Sequence, residues 1–292
     1  MRRFLLILAI LLVCAQQLQA QLLIGLTVKR KFFMMYEPIL ATVTVKNLAG
    51  RDITLSDSAT QSWFGFQITR PDGQLVPPLN PDYKLSPLTI PAGQTLKRSV
   101  VLNTLFPVRD LGPYRVRATI FDAANEKYYQ SPHIDLEISE GKTVWQETVG
   151  VPAGVSGAGG TRKLSLLSFR QADYSYLYVR VEDTDASIIY MTLPLGKLMA
   201  SIEPDVQIDL QNTLHVLQVA GPKTYLYSHI GLNGELLAQN NVYSTNARPV
   251  LRRDKSGMVA LVGGELQDPS SAFAKEKGVN KLSDRPVLIP KE

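Results

Sequence analysis

Residues 110–120 read Asp110-Leu111-Gly112-Pro113-Tyr114-Arg115-Val116-Arg117-Ala118-Thr119-Ile120, and from Tyr114 onward apolar and polar residues alternate without a break. A half-buried strand sends successive side chains to opposite faces, so Tyr114, Val116, Ala118 and Ile120 form an apolar face and Arg115, Arg117 and Thr119 a wet one. The same period recurs upstream. Ile39, Ala41, Val43 and Val45 oppose Thr42, Thr44 and Lys46, and Phe64, Phe66 and Ile68 alternate up to the turn Pro71-Asp72-Gly73. Downstream, Ile134, Leu136 and Ile138 make a last strand. Turn residues at 47–50, Pro91-Ala92-Gly93 and Gly112-Pro113 punctuate these runs at the spacing of a β-sandwich, and no helix of any length fits between them. The expected fold class is all-β.

Asp110 to Val116 also resembles the D-x-G/A-x-Y-x-C segment of immunoglobulin domains. The resemblance implies that the Tyr114 hydroxyl bonds back to the backbone of its corner and that Val116 faces the core where those domains have a cysteine. Val43 would then be the cross-sheet neighbour of Val116, with Trp63 or Phe64 over the pair. Tyr36-Glu37-Pro38-Ile39 is similar to the Y-x-x-G-E-P-V entry, and Ile90-Pro91-Ala92-Gly93-Gln94 to the L-x-P-G-E turn, of exported bacterial immunoglobulin-like or macroglobulin-like domains. Met35 is read as standing where that entry has its glycine, and Gln94 replaces the usual acid. The likeness runs from Leu22 to about Gly141 and implies an immunoglobulin-like β-sandwich over residues 21–148. It implies no activity, because this fold hosts many.

The second half reads as a repeat. Ile189-Tyr190-Met191-Thr192, the stretch 196–200 and the stretch 206–210 are echoed by Leu226-Tyr227-Ser228-His229, 234–238 and 249–253. Leu214-His215-Val216-Leu217 and the run 258–262 then open the next unit. A period of about 40 residues suits four short strands per unit. Asn233-Gly234 predicts a two-residue hairpin turn with positive φ at both positions. The units resemble β-propeller blades, but the chain supplies about two where a closed propeller takes at least four. The expectation is a blade-like β-repeat domain over 161–266, left as an open stack or closed as a homo-oligomer. Residues 149–160, VGVPAGVSGAGG, have the composition of a flexible linker between the two domains, and residues 267–292 that of a disordered tail.

The first twenty residues read as a signal peptide. Arg2 and Arg3 precede an apolar run from Phe4 to Val13, and Leu18-Gln19-Ala20 offers a small residue for cleavage before Gln21. Lipid attachment at Cys14 is the rival reading, but Val13 stands where such sites want a small residue. The apolar run is too short to span a bilayer, so no membrane span is expected and the product is periplasmic or secreted. The one cysteine leaves with the signal, which removes disulfides, thiol chemistry and cysteine ligands from the mature chain. Losing two arginines and no acid lowers the formal charge from +5 to +3, with Lys and Arg scattered, so no nucleic-acid partner is expected.

No catalytic set emerges. There is no G-x-S-x-G turn, and Ser156 sits in the expected linker, where no nucleophile could be held. His133, His215 and His229 lack metal-ligand spacing, although His215 and His229 fall at equivalent edges of adjacent strands. Glu182-Asp183-Asp185 lacks the glycine turn and bidentate glutamate of a calcium loop. No catalytic, cofactor-binding or metal residue is assigned. Tyrosines concentrate in the second half, and Tyr176, Tyr178, Tyr190, Tyr225 and Tyr227 make a candidate binding face for a protein or glycan partner. The expected function is that of an exported, non-enzymatic binding or scaffolding protein. An accessory or inhibitory subunit of an extracytoplasmic enzyme, as a macroglobulin-like domain would allow, is the alternative.

Overall fold

The computed structural model describes residues 21–266 except 172, 184, 186, 200 and 246, and the chain divides into two units, Met1–Glu140 and Gly141–Glu292. The expected signal peptide and tail lie outside the described residues. The fold is all-β.

In the first unit one sheet has the order β1 (Leu22–Val28), β3 (Leu40–Asn47), β7 (Thr95–Val101). The other has the order β2 (Phe32–Met34), β10 (Ile134–Ser139), β8 (Gly112–Asp122), β5 (Phe64–Thr69), with β9 (Lys127–Gln130) also on β8. A short pair, β4 (Ile53–Leu55) and β6 (Leu88–Ile90), and a single helical turn, α1 (Leu102–Leu105), complete it. The alternation works as the physics demands. Val43 and Val45 on β3 and Val116, Ala118 and Ile120 on β8 are buried in one core with Trp63 and Phe64, so apolar burial holds the sheets without a disulfide.

The corner before β8 forms as expected. Tyr114 is 3 % exposed, and its hydroxyl donates to the Asp110 carbonyl at 3.1 Å. At the entry to β3 the backbone corrects one detail. Tyr36, not Met35, takes the left-handed conformation, with φ 67°, immediately before Glu37. The buried Glu37 carboxylate then pairs with Arg30 and accepts the Met34 N–H, closing that turn from inside. Asn47, fully buried, joins two loops: its side-chain amide donates to the carbonyls of Arg51, Ile90 and Pro91 and its oxygen accepts the Ala49 N–H.

The second unit begins with an antiparallel meander of β11 (Lys142–Gly150), β12 (Thr161–Gln171), β13 (Tyr174–Asp183) and β14 (Ile188–Leu198). A second follows: β15 (Asp205–Ile208), β16 (Leu214–Gly221), β17 (Thr224–Ile230) and β18 (Leu236–Tyr243), extended by β21 (Glu265–Leu266). The hairpin of β19 (Val250–Arg253) and β20 (Val259–Val262) stands beside them. Leu164, Leu166, Leu177 and Val179 of the first meander share a core with Leu214, Val216 and Ile230 of the second, and Tyr227 and Val242 share another with Leu251 of the hairpin. Strands β19 and β20 follow β15 and β16 at an offset of 45 positions. Ile189-Tyr190-Met191-Thr192 lies in β14 and Leu226-Tyr227-Ser228-His229 in β17.

Two local expectations are corrected. Residues 149–160 are not a linker: Val149 pairs with Arg162 and Gly150 with Thr161, so the stretch is the end of β11 and a hairpin loop inside the second unit. The loop is ordered by its own turns, Ala158 N–H to Val155 carbonyl at 3.0 Å and Gly160 N–H to Gly157 carbonyl at 3.0 Å, and by the Val151 N–H on the Gly160 carbonyl. Its small residues serve those turns, since Gly154, Gly157 and Gly159 all have positive φ. At Asn233-Gly234 only Gly234 has positive φ. The Gly234 N–H bonds the Gly231 carbonyl and the Gly231 N–H the Glu235 carbonyl, so the connection is longer than two residues, and the register slips between His229 and Ile230.

Candidate functional site

A groove with room for a ligand lies on the first unit, along the outer edge of β5. The sequence dictates how it opens. After Pro71-Asp72-Gly73 the chain folds back on β5, the Arg70 N–H reaching the Gln74 carbonyl and the Val76 N–H the Ile68 carbonyl, both at 2.9 Å. Then come Pro77 and Pro78. Proline has no N–H to give to a ladder and holds φ near −65°, so the returning segment leaves the edge there. Leu79 instead donates to the Leu105 carbonyl.

Beyond that point no strand pairs with this edge of β5 among the described residues. In an antiparallel ladder the N–H and C=O of one residue point to the same side, and the side changes at each step. Ala118 bonds Ser131 on its far flank through both its N–H and its carbonyl, and it lies opposite Phe66. Ile68 turns its carbonyl outward to Val76. The N–H and C=O of Phe64 and Phe66 therefore face outward as well, and no partner meets them among the described residues. Alongside runs an open groove of ≈ 730 Å³. Phe64, Phe66, Ile68, Val76 and Phe106 make its apolar floor, Pro77, Pro78, Pro81, Tyr83 and Tyr128 its walls, and Gln67, Asn80, Thr119 and Gln130 its neutral polar positions. Phe66 stands edge-on to both Phe64 and Phe106, which fixes the rings of the floor.

A second polar assembly sits inside the second unit. The turn from β15 to β16 is organised by Asp209, whose Oδ1 accepts the N–H groups of Gln211 and Thr213 at 2.9 and 2.8 Å. Its other oxygen meets His215 Nε2 at 3.1 Å, and His215 Nδ1 meets the Tyr227 hydroxyl at 2.8 Å. All three are buried. Burial, then the nearby Asp209 carboxylate, pushes the Tyr227 hydroxyl up to about 12, so the phenol keeps its proton and donates it to Nδ1 while Nε2–H donates to Asp209. Burial alone would raise Asp209, but the hydrogen bonds from His215, Thr213 and Gln211 outweigh it and leave the carboxyl below its ordinary range. Both nitrogens of His215 are thus engaged, and the chain of bonds ties a turn to two strands instead of offering a base. His229 packs against His215 and Tyr227 at ring separations of 4.7 and 4.3 Å. His215 and His229, read as lying at equivalent edges of adjacent strands, thus meet as a ring contact.

The candidate tyrosines do not form one face. Tyr178 and Tyr227 are buried in the interior, and Tyr225 is half-buried against the second core. Tyr176 is half-buried, and Tyr190 is exposed but carries the Arg162 guanidinium 4.2 Å above its ring. Arg162, only 1 % exposed, also donates to Asp183 at 3.0 Å, to the Thr161 carbonyl and to the Ser156 carbonyl, which fastens the hairpin loop. Glu182 pairs with Lys163 at 2.7 Å and Asp183 with Arg162, so these two acids are answered by cations of β12. His133 is exposed, and Asp135 beside it engages Arg115. Among the described residues no three His, Cys, Asp or Glu side chains gather in a way that would hold a metal.

Sequence reading found the residues of β5 but not the site. What could have pointed to it is the pair Pro77-Pro78 placed directly after a hairpin return, which announces that the partner strand stops early. Comparison with family models, with curated proteins and with solved structures finds no match for this chain.

Proposed function

We propose that the chain is an exported, non-enzymatic binding or scaffolding protein whose first unit takes up an extended polypeptide strand along β5. The observation that carries the reading is the outward row of unpaired Phe64 and Phe66 backbone groups beside an apolar groove. A peptide in β conformation supplies the matching donors and acceptors at the matching spacing, and its alternate side chains enter the groove. The bonded corner at Tyr114 and the two-sheet core support an immunoglobulin-like reading of this unit, and the successive four-stranded meanders support a blade-like reading of the second. Export rests on the first twenty residues of the sequence, which also make the basic start, apolar run and small-residue site of a signal peptide.

The test is titration of the full chain with a heptapeptide of alternating valine and threonine, and with the same peptide N-methylated at every position. The amide resonances of Phe64 and Phe66 report. Saturable shifts with the first peptide and none with the second are expected. An equal response to both, or none to either, would overturn strand addition.

A further inference from the structure

We infer that the second unit associates with a second copy of itself through β20, the two strands pairing antiparallel about a two-fold axis at Ala260. This interface does not rest on the reading of β5. Strand β20 pairs with β19 on one flank and with no strand on the other among the described residues. The Asp254 N–H reaches the Met258 carbonyl at 2.9 Å, which sets the phase of the ladder. Arg252 and Ala260 bond each other across it, and the N–H and C=O of Val259 and Leu261 point to the open flank. An apolar strand with an open flank is a template for pairing with another chain.

The occupant is a second copy because the segment is its own complement. Residues 255–265 read KSGMVALVGGE, a run that keeps its character when reversed about Ala260. Val259 meets the partner's Leu261, and Leu261 the partner's Val259, so the outward groups of both residues are satisfied in bonded pairs. On the other face Met258 and Val262, each 50 % exposed, meet the partner's Val262 and Met258. Ala260 faces its own copy as a non-hydrogen-bonded pair, where Cα atoms approach to about 4.5 Å and a small side chain fits. The chain leaves the strand line at Gly257 and Gly263, with φ 77° and 80°, so the pairing stops there in both copies. Lys255 then stands at the end where the partner has Glu265, both exposed, and unlike charges meet at each end of an otherwise uncharged seam. Val259 and Leu261 already pack beside Tyr227 and Val242, so the pairing continues that core across the axis. The contact is small, which places it among weak, reversible dimers.

Cross-linking and sedimentation of the full chain test this. In a Cys14→Ser background, Ala260→Cys supplies the only thiol, and at the axis it lies within disulfide reach of its copy. Mild oxidation should convert that variant to a covalent dimer. Adding Met258→Lys and Val262→Lys sets like charges opposite each other at two half-exposed positions and should slow the conversion at least about tenfold. Without the introduced thiol, sedimentation should show a dimer that grows with concentration. Its dissociation constant should rise about threefold or more in Lys255→Glu and return when Glu265→Lys is added to that variant. An Ala260→Cys variant that stays monomeric, or that cross-links equally fast with the two lysines present, overturns the pairing. So does an affinity that Lys255→Glu leaves unchanged or that the second substitution fails to restore.

Discussion

Tyr114 is the residue on which the first unit's corner depends, and its replacement separates two physical contributions. Tyr114→Phe keeps the ring, which is 3 % exposed, and removes the hydroxyl that donates to the Asp110 carbonyl at 3.1 Å. The carbonyl loses its partner in a partly buried place, so the cost should be about 1–2 kcal/mol. Tyr114→Ala removes the ring as well, beside Val116 and Leu136 in the same core, and the cavity should bring the cost to about 3–5 kcal/mol. For a unit of this size each kcal/mol moves the melting point by roughly 4–8 °C. The assay is urea unfolding of the full chain in a Trp145→Phe background, where Trp63, 1 % exposed in the first unit, is the one remaining tryptophan. Burial, then the Asp110 carboxylate, raises the Tyr114 hydroxyl above its ordinary value, so the corner should also hold at neutral pH and loosen only in alkali. A Tyr114→Ala variant within about 0.5 kcal/mol of the parent would refute the reasoning, since that is the behaviour of a surface residue.

Arg162→Met should cost about 1–3 kcal/mol, because it removes the ion pair with Asp183 and takes the donor from the Ser156 and Thr161 carbonyls. A protease should then cut within 151–160 in the variant and not in the parent, and equal resistance of the two would count against Arg162 as the clamp. Tyr227→Phe should cost about 1–3 kcal/mol by leaving His215 Nδ1 without its donor, measured by thermal unfolding. In the parent the raised Tyr227 value means stability that is full below pH 10 and lost as pH climbs towards about 12, a step of about 2–3 kcal/mol that the Phe variant should lack. On the acid side the signs reverse. His229 is lowered, first by burial and then by His215, so its contribution is full above 6.5 and lost as pH falls below; Asp209, also lowered, adds a later loss below 3.8. Unfolding curves that stay flat from pH 7 to 5, or an unchanged step in His229→Gln, would contradict this.

The alternating runs were legible because a period of two has few physical meanings. Tyr114 to Ile120 and Ile39 to Val45 become β8 and β3 with the expected faces inward. What pattern could not give was pairing. Composition at 149–160 is that of a linker, and the same glycines serve equally well for chained tight turns; the difference lies in Arg162, whose guanidinium lies against Gly157. A Cβ there would stand 2.6 Å from Nη2, so the small residue is needed for close approach. A local window weighs the glycines and omits an arginine that acts on them through the hairpin.

The candidate site shows the same gap from the other side. Phe64, Phe66 and Ile68 read as a half-buried strand and are one, yet a strand's place at the middle or the edge of a sheet depends on residues far away in sequence. Here β8 takes one flank and the hairpin return takes part of the other, and it is Pro77, nine positions beyond Ile68, that decides how much stays open. An uncovered edge beside a large apolar groove is a hazard for aggregation in a protein that does nothing with it, and edges are ordinarily blunted by charge, by proline or by a covering segment. The lining of this groove carries no charge, and its prolines lie on the wall and not in β5. With neither charge in the groove nor proline in β5, covering by another strand is a remedy open to this edge, so the physics that makes the groove a liability also makes it a site.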